Sequence, residues 1–354
     1  MASPFFTVVI PVYKGMDFLE GCADSLSAQT FRDFEALFIE DGSPDESGAL
    51  CDRLAARDER FVSLHQPNGG VTSARNHGIR AARGKWLLFL DQDDRFAPGL
   101  MQALFEALGR ASSEDLIHWA FTGVRQQAGL LPPSANGEAE RFYSQAELGL
   151  FYGAGNTHYI WTKLFSVEFL REHSLYFDER IQDGTDDLPF VVAYWHAWFS
   201  CHRGGRILYL KTPYYYYEMG NEASVSNRLQ PYQPSHLAMF TDLLQDYLTL
   251  YKVPERDCFL LCRQALHTLS YGLYSARGAA RRRAARQLWD APECRRLLDF
   301  MGRQHFYSPF YLPWKARATG LCAALFGSFL GRRFLYEKCD WLGWYLLGGN
   351  WERI

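Results

Sequence analysis

Long apolar runs, paired cysteines, low-complexity tracts and internal repeats are all missing from this chain of 354 residues. The longest apolar stretch, Thr319 to Leu330, is one helix of core length and too short to cross a bilayer, so no integral membrane segment is expected. The start, Met1 to Ile10, carries neither a basic leader nor a cleavage site, and no signal peptide is expected. The eight cysteines are scattered and none forms a CxxC pair. Cys258 and Cys262 lack a second pair or a neighbouring His set, which argues against zinc and for reduced thiols in a cytoplasm. A net charge of −3 gives no reason to expect a nucleic-acid partner.

What is present is a large apolar share, 48% hydrophobic and 16% aromatic, enough to fill one large domain and a smaller one. Charge is unevenly spread: between Arg277 and Lys338 stand thirteen Lys or Arg against four Asp or Glu. That basic, aromatic end suits an anionic partner, either a membrane surface or a phosphate-linked acceptor.

Phe6-Thr-Val-Val-Ile10 reads as a buried parallel strand, followed by a helix through Phe18, Cys22 and Leu26. The next strand, Glu35 to Glu40, ends in Asp41-Gly42, and Ser43-Pro-Asp-Glu46 has the form of a capped helix start. A strand over Phe61 to His65, a Gly-Gly loop, a helix from about Thr72 and a strand over Trp86 to Leu90 follow. Residues 99–122 add a helix and a strand, residues 124–141 read as a surface loop, and the chain beyond Pro231 reads as helical. Strands alternating with helices imply right-handed βαβ units, a mostly parallel sheet with helices on both faces, and ligands at the carboxyl ends of the strands. The polar clusters fall at those ends: Tyr13, Asp41, Asn68-Gly-Gly70 and Asp91 to Asp94.

In order and spacing, seven segments resemble glycosyltransferase family 2, the inverting enzymes of GT-A fold that build bacterial cell-surface polysaccharides. They are Ile10-Pro-Val-Tyr13, Gln29 to Phe34, Ile39-Glu-Asp-Gly-Ser43, Asn68 to Gly78, Phe89-Leu-Asp-Gln-Asp-Asp94, Trp161-Thr-Lys-Leu-Phe165 and Asp186-Asp-Leu-Pro-Phe190. The resemblance runs from residue 5 to about 226, which sets a catalytic domain at 1–226 and a helical, basic, aromatic region at 227–354.

The resemblance implies a role for each matched position. Asp93 is the direct ligand of a Mg²⁺ or Mn²⁺ ion, with Asp91 on the ribose or a metal-bound water; three clustered carboxylates are costly unless a cation relieves them. Asp94 either joins them or caps the following helix. Asp41 accepts the imide N–H of uracil, Glu40 reaches ribose or a base edge, and Pro11, Val12 and Tyr13 line the nucleoside pocket. Gly70 lets the backbone approach the base, and Gln92 belongs to the same nucleotide-sugar set. Arg75 pairs with phosphate or braces the acidic cluster. Trp161 floors the sugar or acceptor site, and Lys163 either joins it or makes a structural ion pair. Asp187 or Asp186 is the general base. Tyr214 to Tyr217 and Ser224-Val-Ser226 match the strand and loop that close the site.

The function expected is therefore metal-dependent transfer of a hexose or N-acetylhexosamine from a UDP-sugar to a glycan or lipid-linked glycan acceptor. A silent nucleotide-sugar-binding protein and a nucleotidyltransferase are the alternatives. The expected location is the cytoplasm, with residues 310–354 either lying in the membrane interface or packing in a helical subdomain or oligomer contact.

Overall fold

A computed structural model describes residues 3–123, 139–147, 159–179, 186–218, 278–303, 314–318 and 321. The chain divides into two compact units: Met1–Gln145 with Asn156–Ala223, and Ala146–Gly155 with Ser224–Ile354.

The first unit opens with β1 (Phe6–Val12), α1 (Leu19–Ser27), β2 (Phe34–Asp41), α2 (Ser47–Arg57), β3 (Phe61–Gln66), α3 (Val71–Ala81) and β4 (Trp86–Phe89). Then come β5 (Arg95–Phe96), α4 (Leu100–Arg110), β6 (Leu116–Thr122), β7 (Glu140–Tyr143), a 3-10 turn (Ile160–Thr162), β8 (Phe165–Ser166), α5 (Val167–Glu172), α6 (Asp187–Cys201) and β9 (Ile207–Tyr216). One sheet has the order β3-β2-β1-β4-β8, parallel except for β8. Every residue of β1 and β2 is buried, which is why both read as continuous apolar runs. In the second sheet β9 pairs with β6 along its length, while β7 and β5 pair with its two ends.

Two expectations change here. Residues 140 and 141, the end of the expected loop, belong to β7, held by antiparallel pairing with β9; residues 124–138 lie outside the described residues. The helix expected to start at Ser43 starts at Ser47 without a side-chain cap. The Glu40 carboxylate takes the Ser43 N–H, and the Ser43 hydroxyl accepts from the Lys14 N–H at 3.1 Å, so both groups are spent before the helix begins.

The described part of the second unit is a pair of helices, α7 (Gly278–Asp290) and α8 (Pro292–Arg303), which pack through Ala285, Leu288, Cys294, Leu297 and Met301. Ser224 to Ser226, and 319–330 apart from Leu321, lie outside the described residues. Among the described residues no helix is long and apolar enough to cross a membrane.

Candidate active site

The parallel register brings the ends of β3, β2, β1 and β4 to one edge. Asp41 sits opposite Gln66 there, and β1 separates both from the acidic turn after β4. The Asp41 carboxylate is buried and accepts the N–H of Gly69 at 2.8 Å, that of Gly70 at 2.9 Å and the Gln66 side-chain amide at 2.8 Å. It therefore fixes the Gly-Gly loop. Gly70 has φ +86°, a left-handed conformation that glycine adopts without a Cβ penalty. Glu40 is buried beside it. Burial works against its charge, but hydrogen bonds from Ser43 and His65 outweigh burial and hold its pKa below the usual carboxylate range.

Between these and the acidic turn stands Tyr13, whose ring is exposed above the buried Pro11 and Val12. Gln92 pairs with its backbone in both directions, accepting the Tyr13 N–H at 3.0 Å and donating to the Tyr13 carbonyl at 2.9 Å. Gln92 thus ties the acidic turn to β1. Asp94 is buried and accepts from the Tyr215 hydroxyl at 2.5 Å and from the Glu218 N–H at 2.7 Å. Burial first, then the charges of Asp91 and Asp93, push its pKa well above the ordinary value.

Arg75, buried on α3, joins the distant acidic segments. Its Nη2 donates to Asp91 at 3.1 Å, and its Nη1 donates to Asp186 and, at 3.0 Å, to Asp187. Arg75 thus holds together the acidic turn after β4 and the start of α6. Asp186 is buried; Asp187, the first residue of α6, is half-buried and also accepts the Ile160 N–H at 3.4 Å. Burial pushes the Asp187 pKa up to about 7; Arg75 opposes this, and the charges of Asp186 and Asp91 add to it.

Trp161 and Lys163 turn inward instead of presenting surface to a ligand. The indole lies between the rings of Tyr159 at 4.5 Å and Tyr215 at 4.2 Å, with Phe121 edge-on at 4.9 Å, so aromatic packing claims both faces. The Lys163 ammonium is 1% exposed and donates to the Tyr159 carbonyl and, at 3.1 Å, to the Thr162 hydroxyl. Sequence reasoning missed Gln66, and it named Tyr215 only within the run Tyr214 to Tyr217 without its bond to Asp94. The first had only its strand register as a signal, and the second was hidden among four tyrosines.

A divalent cation finds partial support in this geometry. The Asp94 pKa is raised by burial first and then by the charges of Asp91 and Asp93, and a cation at those two carboxylates would relieve the second contribution. Asp91 gives only one oxygen to Arg75, whereas Asp94 has both oxygens occupied. Among the described residues no group of three or more His, Cys, Asp or Glu is arranged to hold a metal by itself.

Residues 7–129 match the sequence model described as Glycosyl transferase family 2. The uncharacterized glycosyltransferase EpsJ of Bacillus subtilis is 34% identical over 198 residues, 54% of this chain and 56% of EpsJ, so the match spans just over half of that relative. S. aureus TarS 1–349, solved in complex with UDP, superposes with a TM-score of 0.64 at 16% identity, covering 98% of this chain and 93% of that one. The mannosyltransferase PcManGT from Pyrobaculum calidifontis, solved with GDP-Man and Mn²⁺, gives 0.51 at 15% identity, covering 92% of this chain and 87% of that one. The two likenesses show a GT-A fold.

Proposed function

We propose, from the premise that the chain belongs to glycosyl transferase family 2, that it is an inverting transferase. It moves a hexose or N-acetylhexosamine from a UDP-sugar to a cell-surface glycan or lipid-linked glycan acceptor. The observation that carries this reading is the Arg75 guanidinium, which spans from the acidic turn at Asp91 to the Asp186-Asp187 pair. A donor site and a base for the acceptor must stand that close for transfer in a single displacement.

In this reading Pro11, Val12 and Tyr13 line the nucleoside end with the Gly69-Gly70 loop. A carboxylate offers about four acceptor positions, and Asp41 spends three of them, which leaves one for the uracil imide N–H. A Mg²⁺ or Mn²⁺ held by Asp93 and Asp91 supplies positive charge for the leaving diphosphate when bound. A cation of this class takes one or two protein carboxylates and completes its shell with water and substrate phosphate. Asp187 removes the proton of the acceptor hydroxyl as that oxygen attacks the anomeric carbon and the nucleotide leaves from the opposite face. Asp186, sealed by Arg75, orients that pair from behind.

Residues 310–354 are assigned to an anionic membrane surface near the acceptor, on the cytoplasmic side. The deciding assay measures Mn²⁺- and Mg²⁺-dependent sugar transfer and hydrolysis across UDP-, GDP- and CDP-sugars. Turnover of UDP-sugars with release of UDP is expected. Tight UDP binding without turnover of any donor would point to a silent binder, and release of pyrophosphate to a nucleotidyltransferase.

A further inference from the structure

A buried lysine is expensive to keep unless its charge is used. Lys163 follows directly on the 3-10 turn Ile160–Thr162 and folds back over it. Its own N–H donates to the Ile160 carbonyl at 3.2 Å, and its ammonium reaches the Tyr159 carbonyl and the Thr162 hydroxyl. The Ile160 N–H of that same turn holds one oxygen of Asp187. An antiparallel bridge between His118 and Lys163 fastens the turn to β6, and the stack of Tyr159, Trp161 and Tyr215 fastens it to β9.

The charges facing this point come from several elements. Asp91 follows β4, Asp186 and Asp187 begin α6, and Arg75 on α3 is the guanidinium shared by all three. With three carboxylates ionised, one guanidinium leaves two negative charges uncompensated. Lys163 is a second buried basic group: burial lowers its pKa to about 7, and the charge of Asp187 works in the opposite direction. His118 faces Lys163 from β6 and adds no charge of its own, because burial and the neighbouring ammonium hold it neutral.

We propose that Lys163 is a positioning residue for Asp187: it braces the turn that fixes the carboxylate, and its ammonium offsets part of the burial that makes that carboxylate hard to ionise. The assignment rests on Asp187 being the base. Lys163 touches neither donor nor acceptor and acts only through its neighbours. Loss of its charge makes Asp187 harder to ionise, so higher pH is needed to free the base.

The test is the pH profile of kcat, with donor KM and UDP affinity, for the wild type, Lys163→Met and Thr162→Val in the full chain. In Lys163→Met the acid limb should move up by about one pH unit or more, with donor KM and UDP affinity unchanged. Thr162→Val keeps the lysine but removes one acceptor of its ammonium, and should give a smaller shift in the same direction. An unmoved limb in Lys163→Met, or an equal loss of kcat at every pH, would overturn the proposal. Should Lys163→Met lose UDP binding through misfolding, Thr162→Val decides: a raised limb supports the assignment and an unmoved one sinks it. Absence of transfer in the wild type is a separate result, since it removes the base and the functional reading together.

Discussion

Arg75 reaches three carboxylates with two terminal nitrogens, and two of those carboxylates lie 111 and 112 residues away in sequence. Removing one partner of such a buried cluster strands the others, at a cost of about 3–5 kcal/mol. Arg75→Met should lower the free energy of unfolding by that amount in chemical denaturation; a loss below about 1 kcal/mol would contradict the bracing role. Arg75→Lys should not rescue it, because an ammonium lacks the planar fork that spans Asp91 and Asp187. This link could not be read from the sequence. Spacing offered phosphate or bracing for Arg75, and only the fold brings α6 against α3. Trp161 and Lys163 show the same limit, since nothing in a motif distinguishes an aromatic that floors a pocket from one already stacked on both faces.

At the level of elements, legibility followed length and burial. The runs Phe6 to Ile10 and Ala36 to Ile39 are apolar apart from Thr7 and are followed within a few residues by Tyr13 and by Glu40-Asp41, so strand and site edge were visible together. Strands β5 and β8 have two residues each and β7 four, too few for any periodicity to show. The α2 start was misplaced because Ser43 and Glu46 match a capping pattern while Glu40, three residues upstream, claims the Ser43 N–H and the distant Lys14 N–H takes the Ser43 hydroxyl. Packing of α3 on β1 depends on Gly78, where a methyl group would collide with the Val9 side chain. Gly78→Ala should therefore destabilise by about 1–3 kcal/mol despite its better helix propensity. A gain in melting temperature for this variant would show that α3 sits further from the sheet.

For the molecule as a whole, the seven matched segments fall in the first unit, and the basic, aromatic end of the chain falls in the second. Donor chemistry is assigned to the first of these on its matched segments, and acceptor and membrane contacts to the second on charge and composition. Liposomes rich in anionic lipid should pellet the full chain and release it at high salt, and a chain ending at residue 310 should pellet less. Equal pelleting of the two would assign the C-terminal segment to packing. The central claim is that Asp187 is the base of a UDP-sugar transferase, and Asp187→Asn tests it most directly. The variant should bind UDP with Mn²⁺ as the wild type does while kcat falls by about 100-fold or more; transfer at the wild-type rate would contradict the account.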